Sequence, residues 1–272
     1  MSLLLVAGAV GGLVATAALG HRHLVYHPDS RDPGALGEAA PGVPGRDARL
    51  RTEDGLELSA WLLEPTGEDR ASAVLYLPGN GGDRSGRLDV GRALAAEGFT
   101  VLLLDYRGFG ANPGSPSEDG LAADARAGAA YLRSVGFAPE RSVYVGESIG
   151  TGVAARLAVT DPPAGLVLRS PFTSLTDVAA AHYPGALVRA VLRDRFESAR
   201  HLARSDVPVV VLSGDADEIV PPASSAALAA AVGTLHDEVV LPGAGHNDPV
   251  WFGPFLAERV AGLADDVIGP PR

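Results

Sequence analysis

Short runs of consecutive apolar residues alternate with longer amphipathic stretches along most of the chain. Apolar runs of strand length lie at Ala73–Leu77, Thr100–Leu104, Ser142–Val145, Gly165–Leu168, Val207–Leu212 and Glu238–Leu241. Helical stretches lie at Gly86–Glu97, Leu121–Val135, Ile149–Val159 and Ser224–Ala231, and a last helix is predicted over Pro254–Leu263. Strands that are apolar on both faces belong to a parallel sheet covered by helices on both sides. The sequence therefore predicts an α/β fold with a mostly parallel central sheet.

The limits of this domain follow from the flanking segments. Arg49–Thr52 and Leu56–Leu63 alternate around the turn dipeptide Asp54-Gly55, which predicts an N-terminal β-hairpin. Residues 170–206 form the longest interruption of the alternating pattern and are expected to be a small lid of one or two helices. We expect one domain over residues 48–268, preceded at 21–47 by a linker and entry segment rich in Gly, Pro and Ala.

The N-terminal stretch differs from the rest of the chain. Residues 2–20 carry no charged side chain, and a helix of about 19 residues nearly crosses a ~30 Å hydrocarbon core. We therefore predict a single-pass membrane anchor over residues 1–20. A signal sequence, cleaved to give a secreted protein, is the alternative, because Ala15-Thr16-Ala17 supplies small residues near a cleavage site. Weak self-association of the anchor is expected from the small residues at every fourth position: Gly8, Gly12, Thr16 and Gly20.

Composition excludes several classes of function. The 272 residues carry a net charge of −11, which argues against nucleic acid as a partner, because phosphate binding needs a basic face. The chain contains no Cys and no Lys. Disulfides, thiol nucleophiles, Schiff bases and the P-loop lysine are therefore excluded.

The strongest chemical signal is the pentapeptide Gly146-Glu147-Ser148-Ile149-Gly150, a G-x-S-x-G motif. It follows a predicted strand directly and begins a predicted helix, which is the context such a nucleophile motif requires. The serine lies on a strained turn, so its neighbours must lack side chains that would clash. The following N–H groups lie at a helix N-terminus, where they can stabilise an oxyanion.

A serine hydroxyl needs a base and an orienting acid. His246 is the best candidate for the base, because it lies in a Gly-rich loop straight after the strand Glu238–Leu241. The acid should lie in the loop after the preceding strand, where Asp215 and Asp217 are both available. The chain order is then Ser, Asp, His, as in α/β-hydrolases.

Further segments carry a family resemblance. The oxyanion loop of membrane-anchored Bem46/ABHD-like serine hydrolases resembles Leu77-Pro78-Gly79-Asn80-Gly81-Gly82 of this chain. The family's D-Y-R-G-[FY]-G segment resembles Asp105-Tyr106-Arg107-Gly108-Phe109-Gly110. Its segment before the lid resembles Ser170-Pro171-Phe172-Thr173-Ser174-Leu175. The resemblance spans residues 25–263 and implies an α/β-hydrolase fold. It also implies Ser148 as nucleophile, Asp217 as acid and His246 as base. Asn80 and Ile149 would then supply the oxyanion hole through their backbone N–H groups.

The resemblance has one departure. The family usually has His before the Gly of the oxyanion loop, and this chain has Pro78. The donors are backbone amides, so the hole can survive, but the brace that the histidine provides is lost, and Pro fixes φ instead. Nearby, Asp105 and Arg107 are expected to form a structural pair rather than a catalytic one.

These features predict a serine hydrolase that cleaves carboxylic esters or thioesters through an acyl-enzyme, with no metal or organic cofactor. The anchor and the lid point to an amphiphilic, lipid-like acyl substrate, by analogy of fold alone. A serine peptidase or amidase with the same triad is the alternative, since that chemistry differs only in the leaving group. We expect a membrane location for the enzyme.

Overall fold

The computed structural model describes residue 20 and residues 22–271. Its strands are β1 His27–Pro28, β2 Gly45–Arg51, β3 Glu57–Leu63, β4 Ala73–Leu77, β5 Gly81–Gly82, β6 Thr100–Leu104, β7 Ser142–Glu147, β8 Gly165–Arg169, β9 Val209–Gly214 and β10 Leu235–Leu241. Its α-helices beyond residue 26 are α1 Leu36–Ala39, α2 Leu88–Ala96, α3 Glu118–Ser134, α4 Ile149–Thr160, α5 Leu175–His182, α6 Gly185–Val191, α7 Ser198–Leu202, α8 Pro222–Ala231 and α9 Pro254–Val267. Short 3₁₀ helices lie at Arg84–Arg87, Pro139–Arg141 and Pro249–Phe252.

The central sheet of the described chain has eight strands in the order β10-β9-β8-β7-β4-β6-β3-β2. Neighbouring strands from β10 to β6 pair in parallel, whereas β3 pairs antiparallel with both β6 and β2. Every residue of β4, β6, β7, β8 and β9 is buried. The predictions of an N-terminal hairpin and of a mostly parallel sheet are thus confirmed.

Helices cover the sheet on both faces. One hydrophobic cluster contains residues of α3, α4 and α8, such as Leu121, Val153 and Leu228. A second cluster contains residues of α2 and α9, such as Leu94 and Leu256. Because both faces are covered, polar chemistry is confined to the loops at the strand ends, and in parallel sheets ligands bind at the carboxyl ends.

The segment predicted as a linker is packed onto this fold. β1 pairs in parallel with β5, and Tyr26, Leu36 and Ala40 are buried. β2 begins at Gly45, three residues before the predicted start of the domain. We call residues 22–29 the N-terminal segment.

The predicted anchor lies, apart from Gly20, outside the described residues, and so does most of the predicted self-association stripe. Within residue 20 and residues 22–271, no helix is long and apolar enough to cross a membrane.

The insertion at residues 170–206 contains three short helices, α5, α6 and α7, where the sequence predicted one or two. The first two lie over the carboxyl edge of the sheet, because their residues line the cavity described below. Residues of α7, such as Leu202, belong instead to the core cluster beside α4.

Candidate active site

Ser148 lies on the sharp turn between β7 and α4. Its backbone has φ 52° and ψ −119°, a region that L residues rarely adopt, and the residue is buried. A Cβ on Gly146 would lie 2.7 Å from the carbonyl oxygen of Gly150, and a Cβ on Gly150 would lie 2.1 Å from the carbonyl oxygen of Leu77. Both motif glycines are therefore required for the backbone to close around the serine.

His246 and Asp217 form a hydrogen-bonded pair beside this turn. Nδ1 of His246 lies 2.7 Å from Oδ2 of Asp217, while the other carboxylate oxygen accepts the backbone N–H groups of Ile219 at 2.9 Å and Val220 at 2.8 Å. Burial raises the pKa of the Asp217 carboxyl, but the bond from His246 and the backbone donors outweigh it, so the pKa lies below its ordinary value. The carboxylate is thus ionised and fixed in orientation toward the imidazole.

The second candidate acid occupies a different place. The side chain of Asp215 accepts the backbone N–H of Gly243 at 2.5 Å and is exposed. It therefore holds the loop that leads to His246 without contacting the imidazole. The residue pattern alone did not decide between these two candidate acids, whereas the geometry shows that only Asp217 contacts His246.

Arg169 joins the serine turn to the histidine loop. Its carbonyl oxygen accepts the N–H of Ser148 at 2.9 Å, and its Nη1 donates to the carbonyl oxygen of His246 at 2.7 Å. Within the described residues no hydrogen bond joins the side chains of Ser148 and His246. Such catalytic contacts are often long in unliganded structures and tighten when substrate binds.

A buried ion cluster lies directly beneath the nucleophile, and sequence reasoning did not find it. The carboxylate of Glu147 accepts Arg87 Nη2 at 2.7 Å and Tyr76 Oη at 2.9 Å, and it lies 3.1 Å from Arg169 Nη2. Burial raises the pKa of Glu147, but the two guanidinium groups more than offset this and lower it to about 2. No local signal marks these partners, because Arg87 and Tyr76 lie 60 and 71 residues away in sequence.

The predicted oxyanion donors face the same space as Ser148. In the part of the chain that the structure describes, the backbone N–H groups of Asn80 and Ile149 donate to no protein acceptor. Both residues and Ser148 line one cavity. Two unpaired N–H groups beside a hydroxyl, one of them at a helix N-terminus, are suited to bind a negatively charged oxygen.

The N-terminal segment braces the oxyanion loop, a role the sequence did not reveal. The side-chain amide of Asn80 donates to the carbonyl oxygen of Val25 at 2.8 Å, and the Asn80 carbonyl accepts the N–H of His27 at 2.8 Å. On the far side of the loop, Tyr106 Oη donates to the Pro78 carbonyl at 3.3 Å. These contacts hold the loop in a chain that has Pro78 at the position of the expected histidine.

The cavity above Ser148 has a volume of about 790 Å³. Its walls are mainly aliphatic and come from the N-terminal segment, from α5 and α6, and from the loop after Asp217. Glu218, His182 and Tyr183 are the titratable residues among its described lining. No group of three or more His, Asp or Glu side chains suited to hold a metal ion occurs within the described residues.

Comparison with known proteins identifies the family. A family model described as serine aminopeptidase, S33, matches residues 68–200. An uncharacterized protein of Mycobacterium tuberculosis is 45% identical over 247 residues, which cover 90% of this chain and 87% of that one. Protein bem46 of Schizosaccharomyces pombe is 31% identical over 231 residues, which cover 82% and 77% of the two chains. The chain belongs to the Bem46-like family of α/β-hydrolases.

Other relatives of this Bem46-like hydrolase carry named activities. A lysophosphatidylserine lipase of Danio rerio is 30% identical over 210 residues, 63% of this chain and 54% of that protein. Among solved structures, an esterase of Pyrococcus furiosus superposes with a TM-score of 0.70 at 20% identity, covering 90% of this chain and 98% of the esterase, which shows the shared fold. The chain is thus a hydrolase, and the predicted α/β-hydrolase fold is confirmed.

Proposed function

We propose that this protein is a serine hydrolase that cleaves carboxylic esters or thioesters of amphiphilic acyl substrates. The observation that carries the proposal is the apolar cavity that ends at Ser148 and at two backbone N–H groups that donate to no acceptor among the described residues. An acyl chain fills such walls, while the carbonyl meets the polar end. The similarity to a lysophosphatidylserine lipase supports a lipid-like substrate.

The mechanism assigns one task to each residue of the site. His246 takes the proton of Ser148 as the serine oxygen attacks the acyl carbonyl, and Asp217 stabilises the imidazolium that forms. The N–H groups of Asn80 and Ile149 bind the oxyanion. The leaving alcohol or thiol takes the proton from His246, and water then hydrolyses the acyl-enzyme with His246 again acting as base.

Labelling with a fluorophosphonate probe tests the nucleophile. The full chain should label, and Ser148→Ala should not. Ser213→Ala is the matched control, because this buried serine also lies near the end of a strand but does not line the cavity. Absence of labelling in the unmodified chain would contradict the proposal.

Turnover of p-nitrophenyl esters of rising acyl length then tests the substrate class. We expect kcat/KM to rise with chain length, because each buried CH₂ contributes about 0.8 kcal/mol. Preference for the shortest acyl groups would exclude an amphiphilic substrate.

A peptidase activity is the second candidate, favoured by the description of the matching family model and by one feature of the cavity. Glu218 is an exposed carboxylate in the lining and could hold a substrate α-amino group. Faster turnover of aminoacyl anilides than of esters, abolished by Glu218→Gln, would establish this activity and displace the esterase assignment.

We also propose that residues 1–20 anchor the enzyme in a membrane. Carbonate extraction of membranes tests this location. The chain should remain in the membrane fraction, and its release would contradict a spanning segment.

A further inference from the structure

Exposed large hydrophobic side chains concentrate around one opening. Among the described residues, six such side chains are exposed, and four of them line the cavity: Leu24 at 74%, Tyr183 at 66%, Leu187 at 50% and Ile219 at 50%. We call these four residues the rim. The other two, Leu235 and Val240, lie on the edge strand β10. Contiguous apolar surface around a pocket marks an interaction site.

The rim lies where the chain leaves its uncharged N-terminal stretch. Residues 2–20 carry no charge, and Leu24 follows four residues later. The N-terminal segment is tied to the lid, because Arg22 Nε and Tyr26 Oη lie 3.3 and 3.1 Å from Asp194 Oδ2. A membrane span over residues 1–20 would therefore bring the rim to the bilayer surface.

The lid side of the rim carries a charge opposite to that of the whole chain. Residues 183–193 contain two Arg and no acidic residue, although the chain carries −11 overall. On the other side of the opening, Glu218 lines the cavity beside Ile219 and is exposed. Arg189 and Arg193 are exposed and form no ion pair with any residue in the described ranges. Exposed Arg residues beside apolar side chains are the composition that binds an anionic lipid interface.

We propose that the rim is a docking surface for an anionic phospholipid bilayer, so that acyl substrate passes from the membrane directly into the cavity. The rim side chains enter the acyl–headgroup boundary, and Arg189 and Arg193 contact lipid phosphates. The substrate route rests on the proposed function, whereas the docking itself does not.

Site-directed fluorescence tests the docking without using activity. The chain contains no Cys, so Leu187→Cys and Ile219→Cys each create a single labelling site. Val240→Cys is the matched control, since Val240 is 48% exposed but lies away from the cavity. Each full-length variant is labelled with an environment-sensitive fluorophore. It is then reconstituted into vesicles of phosphatidylcholine and phosphatidylglycerol that carry a nitroxide on the acyl chain.

Labels at 187 and 219 should show a blue shift and be quenched by the nitroxide, and the label at 240 should show neither. Equal, water-like emission at all three positions would overturn the proposal. A blue shift without quenching that grows with the protein-to-lipid ratio would show that a second copy covers the rim, and would overturn it as well.

A kinetic experiment tests the charge contribution and the substrate route. The double variant Arg189→Glu/Arg193→Glu should lose about 30-fold in kcat/KM on p-nitrophenyl palmitate held in the anionic vesicles, because each of the two arginines near the surface contributes about 1 kcal/mol. Soluble p-nitrophenyl acetate should be hydrolysed at the unmodified rate. Arg51→Glu/Arg259→Glu, which reverses two exposed charges outside the lid, should leave both rates unchanged.

An equal loss in both double variants would remove the electrostatic basis of docking. If neither ester is hydrolysed by the unmodified chain, the proposed function fails while the fluorescence result still stands.

Discussion

The cavity of this α/β-hydrolase has a polar floor and an apolar rim that are built in different ways. The floor, which we define as Glu147, Ser148, Arg169, Asp217 and His246, lies at the carboxyl edge of the sheet, and its residues are mostly buried and joined by hydrogen bonds and ion pairs. The rim comes from the N-terminal segment, the lid and the loop after Asp217, and its side chains lie in solvent. Catalysis thus depends on residues that cannot move without breaking buried contacts, whereas substrate access depends on the segments that surround those residues.

The largest expected effect on activity comes from removing one charge from the floor. Asp217→Asn should lower kcat by roughly 10⁴-fold, because an amide no longer stabilises the imidazolium or fixes the tautomer of His246. Asp215→Asn should change kcat only a few-fold, since the amide oxygen can still accept the N–H of Gly243. Steady-state kinetics on a soluble ester measure both, and the reverse order would refute the assignment of Asp217.

A second test concerns the stability of the floor. The pKa of Glu147 is lowered to about 2 in the folded state, against about 4.3 for a free glutamate. The carboxylate therefore stabilises the fold above pH ~4.3, and this contribution is lost as the pH falls toward 2. Glu147→Gln should lower the free energy of unfolding at pH 7 by on the order of 3 kcal/mol.

Urea unfolding of the detergent-solubilised chain at a series of pH values measures this effect. The curves of the unmodified chain and of Glu147→Gln should converge as the pH approaches 2. Glu140→Gln, an exposed glutamate just before β7, is the control and should follow the unmodified chain throughout. A constant difference at all pH values would mean that the ionised form of Glu147 contributes nothing.

The smallest expected effect concerns the contact between the oxyanion loop and the N-terminal segment. Asn80→Ala removes the bond to the Val25 carbonyl and should lower kcat about tenfold with little change in KM, because the N–H of Asn80 acts in the transition state. Tyr26→Phe cuts the contact of the same segment with Asp194 but leaves its bonds to the oxyanion loop, and should retain most of kcat. Equal losses in the two variants would show that the segment acts only through overall packing.

Much of the fold and part of the site could be predicted from local pattern. The buried strands are apolar on both faces, and the residues proposed as nucleophile, acid and base each follow a strand, so their placement at one sheet edge needs no knowledge of packing. The pairing of His246 with Asp217 rather than Asp215 was implied by the family resemblance, and the structure shows this contact. Their catalytic roles stay predictions until the kinetics are measured.

The buried charges show which contacts a local sequence pattern cannot predict. Asp105 and Arg107 are two residues apart and were expected to pair, but that expectation was wrong. Asp105 lies 2.5 Å from Arg84, and Arg107 lies 2.8 Å from Asp124. The chain turns after the strand ends at Leu104, so the two side chains no longer share a strand face, and each contacts a different helix.

The sequence by itself determined the strand order along the chain, the strained serine turn and the chemical types available to the site, because these depend on neighbours within a few residues. Only the tertiary structure decided which charges meet beneath Ser148, that residues 22–29 brace the oxyanion loop, and that four distant apolar side chains surround one opening. The physical reason is that these contacts join segments far apart in the chain, and the packing of layers, rather than any local preference, brings them within reach.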